Sequence, residues 1–155
     1  MHYRLYTPDD FAALYAIEEV CFQPPHRFGR RYMRQLIESS CSAAWIAEHD
    51  GRMAGFAIVE WARESAEVVA YIQTIEVLPA ERGQGVGHEL LARMQASARQ
   101  AGAAIIWLHV DAENAAAIRL YERNGFLCEG READYYGPGR PALVFARVLD
   151  GRRPG

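Results

Sequence analysis

A glycine-rich stretch near the middle of the chain has the residue types and spacing of a phosphate-binding loop. It reads Arg82, Gly83, Gln84, Gly85, Val86, Gly87 and His88. A strand-like run leads into it, and an amphipathic helical pattern follows it. The free backbone N–H groups of a helix's first turn bind anions, and glycine lets an anion approach the backbone closely. The stretch therefore predicts an anion site, or else a turn that only lets a helix pack tightly.

Two familiar phosphate loops are excluded by the same residues. A P-loop ends in Gly-Lys-Ser or Gly-Lys-Thr, and the stretch has no such ending. The dinucleotide-binding fingerprint requires a third glycine where this chain has His88. What remains is an Arg/Gln-x-x-Gly-x-Gly/Ala pattern that begins at Arg82.

His109 is the first candidate for a general base. It lies in the apolar run Ala104 to Val110, which predicts a strand buried on both faces. By alternation it shares a face with Trp107 and Asp111, near the strand's C-terminal end, where open α/β sheets bind ligands. An unperturbed imidazole titrates near ~6.5, so it accepts a proton at neutral pH. The structural alternative is a buried histidine satisfied by one hydrogen bond.

The strand before the glycine-rich stretch carries two further candidates. Alternation places Tyr71 on one face with Ile75 and Val77, where it could orient an attacking amine or simply pack. Glu76 is expected on the opposite face. It is a third-ranked base if that face lines a cleft, and otherwise a solvated or paired carboxylate.

Composition limits the class of protein. The 155 residues are half hydrophobic and suffice for one globular domain with its own core. A net charge of −3 argues against bulk nucleic-acid binding. Cys21, Cys41 and Cys128 are widely spaced, which favours reduced thiols in a cytoplasmic protein over disulfides or a metal site. Since no signal peptide or membrane-length apolar run is visible, we expect no membrane partner.

Apolar periodicity and turn signals predict the element order β-α-α-β-β-β-α-β-α-β-β. The elements are expected around Tyr3 to Tyr6, Pro8 to Cys21, Arg30 to Glu38, Trp45 to Ala47, Phe56 to Val59, Tyr71 to Leu78, Val86 to Gly102, Ala104 to Val110, Asn114 to Gly125, Phe126 to Cys128 and Leu143 to Val148. This order is mixed α/β. We expect one domain over residues 1–150 and a loose tail at 151–155.

The order and its motifs resemble the GNAT acetyltransferases over nearly the whole chain. The matching motifs are Ile75-Glu76-Val77, Arg82 to Gly87, Asn114 to Glu122 and Asn124-Gly125-Phe126. The resemblance implies a GNAT fold, with a mixed, mostly antiparallel sheet flanked by about four helices, and acetyl-CoA as cosubstrate. It implies that the backbone of Ile75 and Val77 holds the acetyl and pantetheine groups, and that the glycine-rich stretch holds the pyrophosphate.

Within that superfamily the chain is most similar to protein N-terminal acetyltransferases of the ribosomal-protein alanine type. Trp107-Leu108-His109-Val110 followed by Asn114, and Asp134-Tyr135-Tyr136, carry this similarity. The bacterial enzymes have a glutamate where this chain has His109. A histidine there, together with a tyrosine matching Tyr71, resembles eukaryotic N-terminal acetyltransferases that act on methionine-first proteins.

The resemblance also implies roles for individual residues. Tyr121 would protonate the departing thiolate, and the Val77 N–H would stabilise the developing oxyanion. Asn114 would cap its helix, bond the pantetheine amide, or do both. The expected substrate-binding residues are Phe22, Pro24, Tyr71, Tyr135 and Tyr136.

These observations predict an acetyl-CoA-dependent N-acetyltransferase that works by direct attack. The expected substrate is the α-amine of a protein or peptide N-terminus. Acetylation of a small amine (an aminoglycoside, polyamine or amino acid) is the second hypothesis, and a non-catalytic acetyl-CoA-binding module is the third. The identity of the base, the first residue of the substrate and the oligomeric state stay open.

Overall fold

We describe the protein from a computed structural model, which defines residues 1–152. Over this range the chain forms one seven-stranded sheet in the order β1-β2-β3-β4-β5-β7-β6, with four helices packed on it. The strands are β1 His2–Leu5, β2 Ser42–His49, β3 Arg52–Glu64, β4 Glu67–Val77, β5 Ala103–Asp111, β6 Leu127–Glu132 and β7 Ala142–Val148. The helices are α1 Phe11–Cys21, α2 Arg30–Glu38, α3 Val86–Gln100 and α4 Ala115–Arg123.

The predicted element order and fold class are confirmed. Within the described residues every neighbouring pair of strands is antiparallel except β4 and β5. This is the mixed, mostly antiparallel sheet that the resemblance implies. One local difference is that a 3-10 turn, Pro8–Asp10, precedes α1, so the first regular helix begins at Phe11. None of the described helices is both long and apolar enough to cross a bilayer.

β4 and β5 run parallel but pair over only part of their length. Their register runs from Val68 opposite Ala103 to Tyr71 opposite Trp107. The opposite edges of the two strands pair with β3 and β7, and beyond Tyr71 and Trp107 no register joins β4 to β5 in the described part of the chain. Among residues 1–152 the β5-facing edge of β4 is therefore unpaired beyond Tyr71, and a gap opens between the two strands.

A β-bulge lies in β4 two residues after Tyr71. Ile58 of β3 is opposite Thr74, but its neighbour Val59 is opposite Ile72. Gln73 is therefore the extra residue, and an extra residue reverses the alternation that follows it.

The bulge overturns the faces predicted for this strand. Ile75 and Val77 pack into the core on the α3 side of the sheet. Glu76 is buried on the other side, against α1, which is the side of Tyr71. The expectation that Tyr71 shares a face with Ile75 and Val77, opposite Glu76, is wrong because it assumed a regular strand.

Two hydrophobic clusters lie on opposite faces of the sheet. One is formed by α3 with the central strands, and its helical members are Val86, Leu90, Leu91, Met94 and Ala98. The other is formed by α1 and α2 with β2 and β3. Both helix faces have the 3.6-residue spacing that buries one stripe of an amphipathic helix.

β5 is buried on only one face, contrary to the expectation from its apolar run. Ile106, Leu108 and Val110 belong to the α3-side cluster. The half-buried residues of the other face are Ile105, Trp107, His109 and Asp111. The gap beside β4 leaves this second face open to a cavity.

The C-terminal end is described only in part. Arg152 pairs with Glu67 and Asp150. Residues 153–155 of the predicted tail lie outside the described range. The proposed domain limits therefore stay a prediction.

Candidate active site

A cavity of about 680 Å³ occupies the gap between β4 and β5. Its walls are α1 and the loop after it, the diverging strand ends, α4, and the loop that precedes β7. The lining residues used below are Glu18, Phe22, Phe28, Tyr71, His109, Asn114, Tyr121, Tyr135 and Tyr136. The volume is in the range of small-molecule sites in proteins.

Tyr71 and His109 meet in this cavity. The Tyr71 hydroxyl lies 2.8 Å from His109 Nδ1, and His109 Nε2 lies 3.1 Å from Oε1 of Glu132. A carboxylate only accepts hydrogen bonds, so Nε2 carries the hydrogen that it donates to Glu132. In the neutral ring Nδ1 is then the acceptor, and the Tyr71 hydroxyl donates to it.

Aromatic rings hold the imidazole in place. Tyr135 stacks on His109 with ring centroids 4.2 Å apart and an interplanar angle of 11°. Trp107 meets His109 edge-on at 5.2 Å and Tyr71 edge-on at 4.6 Å. The His109 side chain is only 10% exposed, so its orientation is fixed by packing as well as by hydrogen bonds.

The Tyr71 hydroxyl is neutral throughout the physiological range. Burial, followed by the neighbouring Tyr135 hydroxyl, raises the pKa of Tyr71 well above its usual value. The same causes, burial first and Tyr135 second, raise the pKa of Tyr136 to about 12. Tyr71 therefore keeps its proton and serves as a hydrogen-bond donor to the imidazole.

The unpaired edge of β4 directs backbone donors into the gap. The Leu78 N–H donates to the Ala54 carbonyl on the β3 side at 2.9 Å. Because backbone groups alternate direction along a strand, the N–H groups of Ile75 and Val77 face the opposite edge. These are the two residues expected to hold the acetyl and pantetheine groups.

The glycine-rich stretch has the geometry of an anion-binding loop. Gly83 and Gly85 have φ angles of 78° and 81°, which residues with a Cβ rarely adopt. Gly85 is the N-cap of α3, and among the described residues no side chain caps this end. The N–H groups of Val86, Gly87 and His88 have no preceding turn to bond, so they are available to a ligand.

Arg82 does not extend freely beside these amides. Its Nε donates to the Val77 carbonyl at 2.9 Å, and Nη2 lies 3.9 Å from Sγ of Cys21. In this arrangement the guanidinium braces the end of β4. A direct contact of Arg82 with a phosphate stays a prediction.

α4 supplies two of the predicted cofactor residues. The Asn114 side chain accepts a hydrogen bond from the Ala117 N–H at 3.2 Å, so it does cap its helix. Tyr121 is buried on the cavity wall, and burial raises the pKa of its hydroxyl above the usual value. Its hydroxyl makes no hydrogen bond to the described part of the chain, which leaves it free for a ligand.

The predicted substrate residues are brought together only in part. Phe22, Tyr71, Tyr135 and Tyr136 line the cavity, whereas Pro24 is exposed on the same loop and does not. Tyr135 is 45% exposed at the cavity mouth. A role for Pro24 in substrate binding has no support from this arrangement.

Glu76 is unsuited to act as the base. Its side chain is buried and outside the cavity lining, and burial, followed by the adjacent Glu18 carboxyl, raises its pKa to about 10. A carboxyl that is protonated at neutral pH cannot accept a proton from an amine.

Sequence reasoning missed Glu132, the partner of His109. Glu132 lies on β6 and reaches the site only because β6 pairs with β7 and β7 with β5. No local motif marks it. Its place depends on the register of two strand pairs that the sequence pattern does not specify.

Known proteins are similar to this chain in sequence. Residues 11–126 match the model of the Acetyltransferase (GNAT) family. The catalytic subunit NAA10 of the N-terminal acetyltransferase A complex of Arabidopsis thaliana is 31% identical over 153 residues, or 97% of this chain and 79% of that protein. Streptothricin acetyltransferase of Streptomyces lavendulae is 39% identical over 87 residues, or 56% and 45%.

A solved structure extends the likeness to three dimensions. The crystal structure of the ribosomal-protein-S18-alanine N-acetyltransferase from Escherichia coli superposes with a TM-score of 0.83 at 25% sequence identity. The match covers 99% of this chain and 97% of that one. Together with the family match, this shows that the chain belongs to the GNAT family of N-acetyltransferases.

Proposed function

We propose that this protein transfers the acetyl group of acetyl-CoA to the α-amine of a protein or peptide N-terminus by direct attack. The observation that carries the proposal is the Tyr71–His109–Glu132 chain of hydrogen bonds beside the unpaired edge of β4. A proton acceptor, the His109 imidazole, and the backbone N–H donors of β4 therefore lie in the same cavity. The GNAT family uses acetyl-CoA. NAA10 is by name the catalytic subunit of an N-terminal acetyltransferase, and the S18-alanine enzyme is by name an N-acetyltransferase of a ribosomal-protein alanine.

The proton would leave the amine through Tyr71. As the amine attacks, its N–H proton passes to the Tyr71 oxygen while the Tyr71 O–H proton passes to His109 Nδ1. Glu132, whose side chain is 52% exposed, would stabilise the imidazolium that forms through its hydrogen bond with Nε2. The tyrosine is unchanged at the end, and the histidine holds one extra proton.

The acetyl group would be held against β4. A new N–C bond forms while the C–S bond breaks, and the Val77 N–H stabilises the charge on the carbonyl oxygen. The thiolate that leaves accepts a hydrogen bond from the Tyr121 hydroxyl. Any proton that Tyr121 gives it is replaced from solvent, and His109 returns its extra proton to solvent. Since burial raises the pKa of Tyr121, hydrogen bonding is the larger part of this help.

The rest of the cofactor would be held by groups of β4, α4 and the glycine-rich stretch. The backbone of Ile75 would hold the pantetheine, with the Asn114 side-chain amide as a second partner. The N–H groups of Gly83 to His88 would bind the pyrophosphate, with charge from Arg82 nearby. Direct attack needs no enzyme nucleophile. The three cysteines are free in the structure, which suits the cytoplasmic location that we propose.

Two features favour an N-terminal α-amine. An α-amine has a pKa near ~7.7–8.0, against ~10.4 for lysine, so it loses its proton to imidazole far more readily. Tyr135 and Tyr136 lie at the cavity mouth, where their hydroxyls would bond a peptide backbone. Tyr71 and Phe22 would surround the first residue.

A small amine is the second candidate substrate. The similarity to streptothricin acetyltransferase supports it, although it covers only 56% of this chain. The third hypothesis, an acetyl-CoA-binding module without turnover, uses the same loop but has no need of the Tyr71–His109 pair.

A thiol-release assay separates the three hypotheses. Acetyl-CoA is supplied with unblocked peptides, with the same peptides blocked at the α-amine but carrying lysine, and with small amines such as streptothricin. We expect the highest kcat/KM with unblocked peptides and acetylation at the α-amine by mass spectrometry. Turnover only with small amines would replace the proposal, and binding of acetyl-CoA without turnover would establish the module.

A further inference from the structure

Two glutamate side chains that the mechanism does not use are buried next to each other. Glu18 of α1 is 0% exposed and Glu76 of β4 is 2% exposed. The two carboxyls are close enough to interact, since Glu18 is, after burial, the main cause of the raised pKa of Glu76. Neither forms an ion pair with a lysine or arginine of residues 1–152. Two buried carboxylates without a counter-charge repel each other and lose their hydration.

Each carboxyl has one partner and one orphaned oxygen. Oε2 of Glu18 accepts the Phe28 N–H at 2.9 Å, and Oε2 of Glu76 accepts the Thr74 hydroxyl at 2.8 Å. Oε1 of both residues is buried without a partner in the described chain. One proton between the two carboxyls would give these orphaned oxygens a hydrogen-bond partner, because a carboxylic acid donates what a carboxylate accepts.

We propose that Glu18 and Glu76 share a single proton, and that this acid–carboxylate pair positions the loop 22–29, one wall of the substrate cavity, against β4. Glu18 holds the loop through the Phe28 N–H. The Phe28 carbonyl is held in turn by the Tyr15 hydroxyl at 2.7 Å. The part that concerns substrate rests on the proposed function, whereas the shared proton does not.

The titratable groups around Glu18 and Glu76 are consistent with a pair of carboxyls that holds one proton and one negative charge. Desolvation, followed by the Glu18 carboxyl, raises the pKa of Glu76 to about 10. Cys21 of α1 faces both glutamates and stays a neutral thiol, because burial raises its pKa. Arg82 reaches this region from the glycine-rich loop but bonds the Val77 carbonyl and Cys21.

The sign of the pH dependence follows from the raised pKa. The native protein loses the Glu76 proton at a much higher pH than the unfolded chain, whose limit is the usual value of 4.5, because burial and the Glu18 carboxyl raise the pKa of Glu76. Native protein therefore binds more protons between these limits, and stability falls as pH rises through this window. Up to about a tenfold loss in the folding equilibrium constant per pH unit is expected from one proton.

Loss of the same proton should also move the loop 22–29, the wall of the substrate cavity that Glu18 holds. Once the second carboxyl ionises, two like charges face each other in the interior, and α1 with its loop is pushed from β4. The KM for peptide should then rise at alkaline pH more than kcat falls. The Kd of acetyl-CoA should change little, because its loop lies outside this wall.

The test compares wild type with Glu76→Gln, Glu76→Ala and the exposed control Glu38→Gln. In wild type, carboxyl ¹³C NMR of glutamate-labelled protein should show one glutamate signal that stays protonated at neutral pH and titrates only in the alkaline range. Glu76→Gln supplies a permanent donor, so that signal disappears and the alkaline loss of stability and the alkaline rise in peptide KM are both removed. Glu76→Ala should raise peptide KM at all pH values, and Glu38→Gln should behave as wild type.

The experiment measures the protonation of the glutamate pair and the catalytic activity separately. If every glutamate signal of wild type titrates in the acid range, the shared proton is wrong whatever the activity. If the NMR and stability results hold but peptide KM is independent of pH, the pair does not position the wall. If no peptide is acetylated, the proposed function fails while the shared proton is still decided by NMR.

Discussion

The Tyr71 hydroxyl donates a 2.8 Å hydrogen bond to Nδ1 of His109 across the point where β4 and β5 separate. The two strands are paired up to Tyr71 and Trp107, and His109 lies two residues further on. The bond therefore closes the base of the gap. In the proposed mechanism, the Tyr71 oxygen is then the first group to accept the proton of the amine.

Tyr71→Phe should remove this acceptor without disturbing the packing of the ring. We expect kcat to fall by about 10²–10⁴-fold, the usual size of a general acid–base contribution, with the Kd of acetyl-CoA unchanged. Steady-state kinetics and calorimetry measure the two quantities. Tyr6→Phe, remote from the cavity, is the matched control. A Tyr71→Phe enzyme with kcat within about twofold of wild type would remove Tyr71 from the proton path.

Gly85→Val should abolish acetyl-CoA binding while the fold is retained. A branched residue is strained at the φ of 81°, and its side chain would occupy the anion site. Gly102→Val is a matched control, because Gly102 has a φ of 84° and open space around it at the far end of α3. Calorimetry should show binding lost only in the first variant. Equal affinity in two folded variants would refute the loop assignment.

The fold was predictable because its signals are local. Asn114 and Gly125 mark the ends of α4, and the turn signal Asp50-Gly51 joins β2 and β3 with positive φ at both residues. The site was less predictable from the residues alone. The bulge at Gln73 changes the faces of β4, and alternation cannot anticipate an inserted residue.

Contacts between residues on distant strands were the other feature that the sequence did not predict. Glu132 reaches His109 through two successive strand pairings. The Glu18–Glu76 contact needs the bulge and the packing of α1 together. In contrast, the resemblance alone was enough to bring Tyr71 and His109 to one site, because it transferred a known spatial pairing to two matching positions.

Peptides should be better substrates than free amino acids with the same first residue. Tyr135 and Tyr136 line the cavity, and in the proposed binding mode they contact the peptide backbone, so further backbone groups add binding. We expect kcat/KM to rise with length over the first few residues. Tyr136→Phe should reduce that rise without changing the rate for the free amino acid. Equal kcat/KM for peptides and amino acids would favour the small-amine hypothesis.

Tyr121→Phe should slow the chemical step while acetyl-CoA binds normally. In the proposed mechanism the buried hydroxyl helps the thiolate leave, but its raised pKa makes it a weak acid. We therefore expect kcat to fall towards the low end of the general-acid range, about 10²-fold. Tyr3→Phe on β1 is the control. Unchanged kcat would leave Tyr121 with a packing role, against Phe126 and Phe145.

The pH dependence of kcat in wild type and in His109→Ala tests the central claim most directly. The imidazole must be neutral to accept a proton, so kcat of wild type should rise with pH through one ionisation that is the same for peptides of different α-amine pKa. In His109→Ala this limb should disappear and kcat should fall, and His109→Glu should restore part of the rate. A limb that follows the pKa of each peptide and persists in His109→Ala would contradict the account, because the proton would then leave without His109.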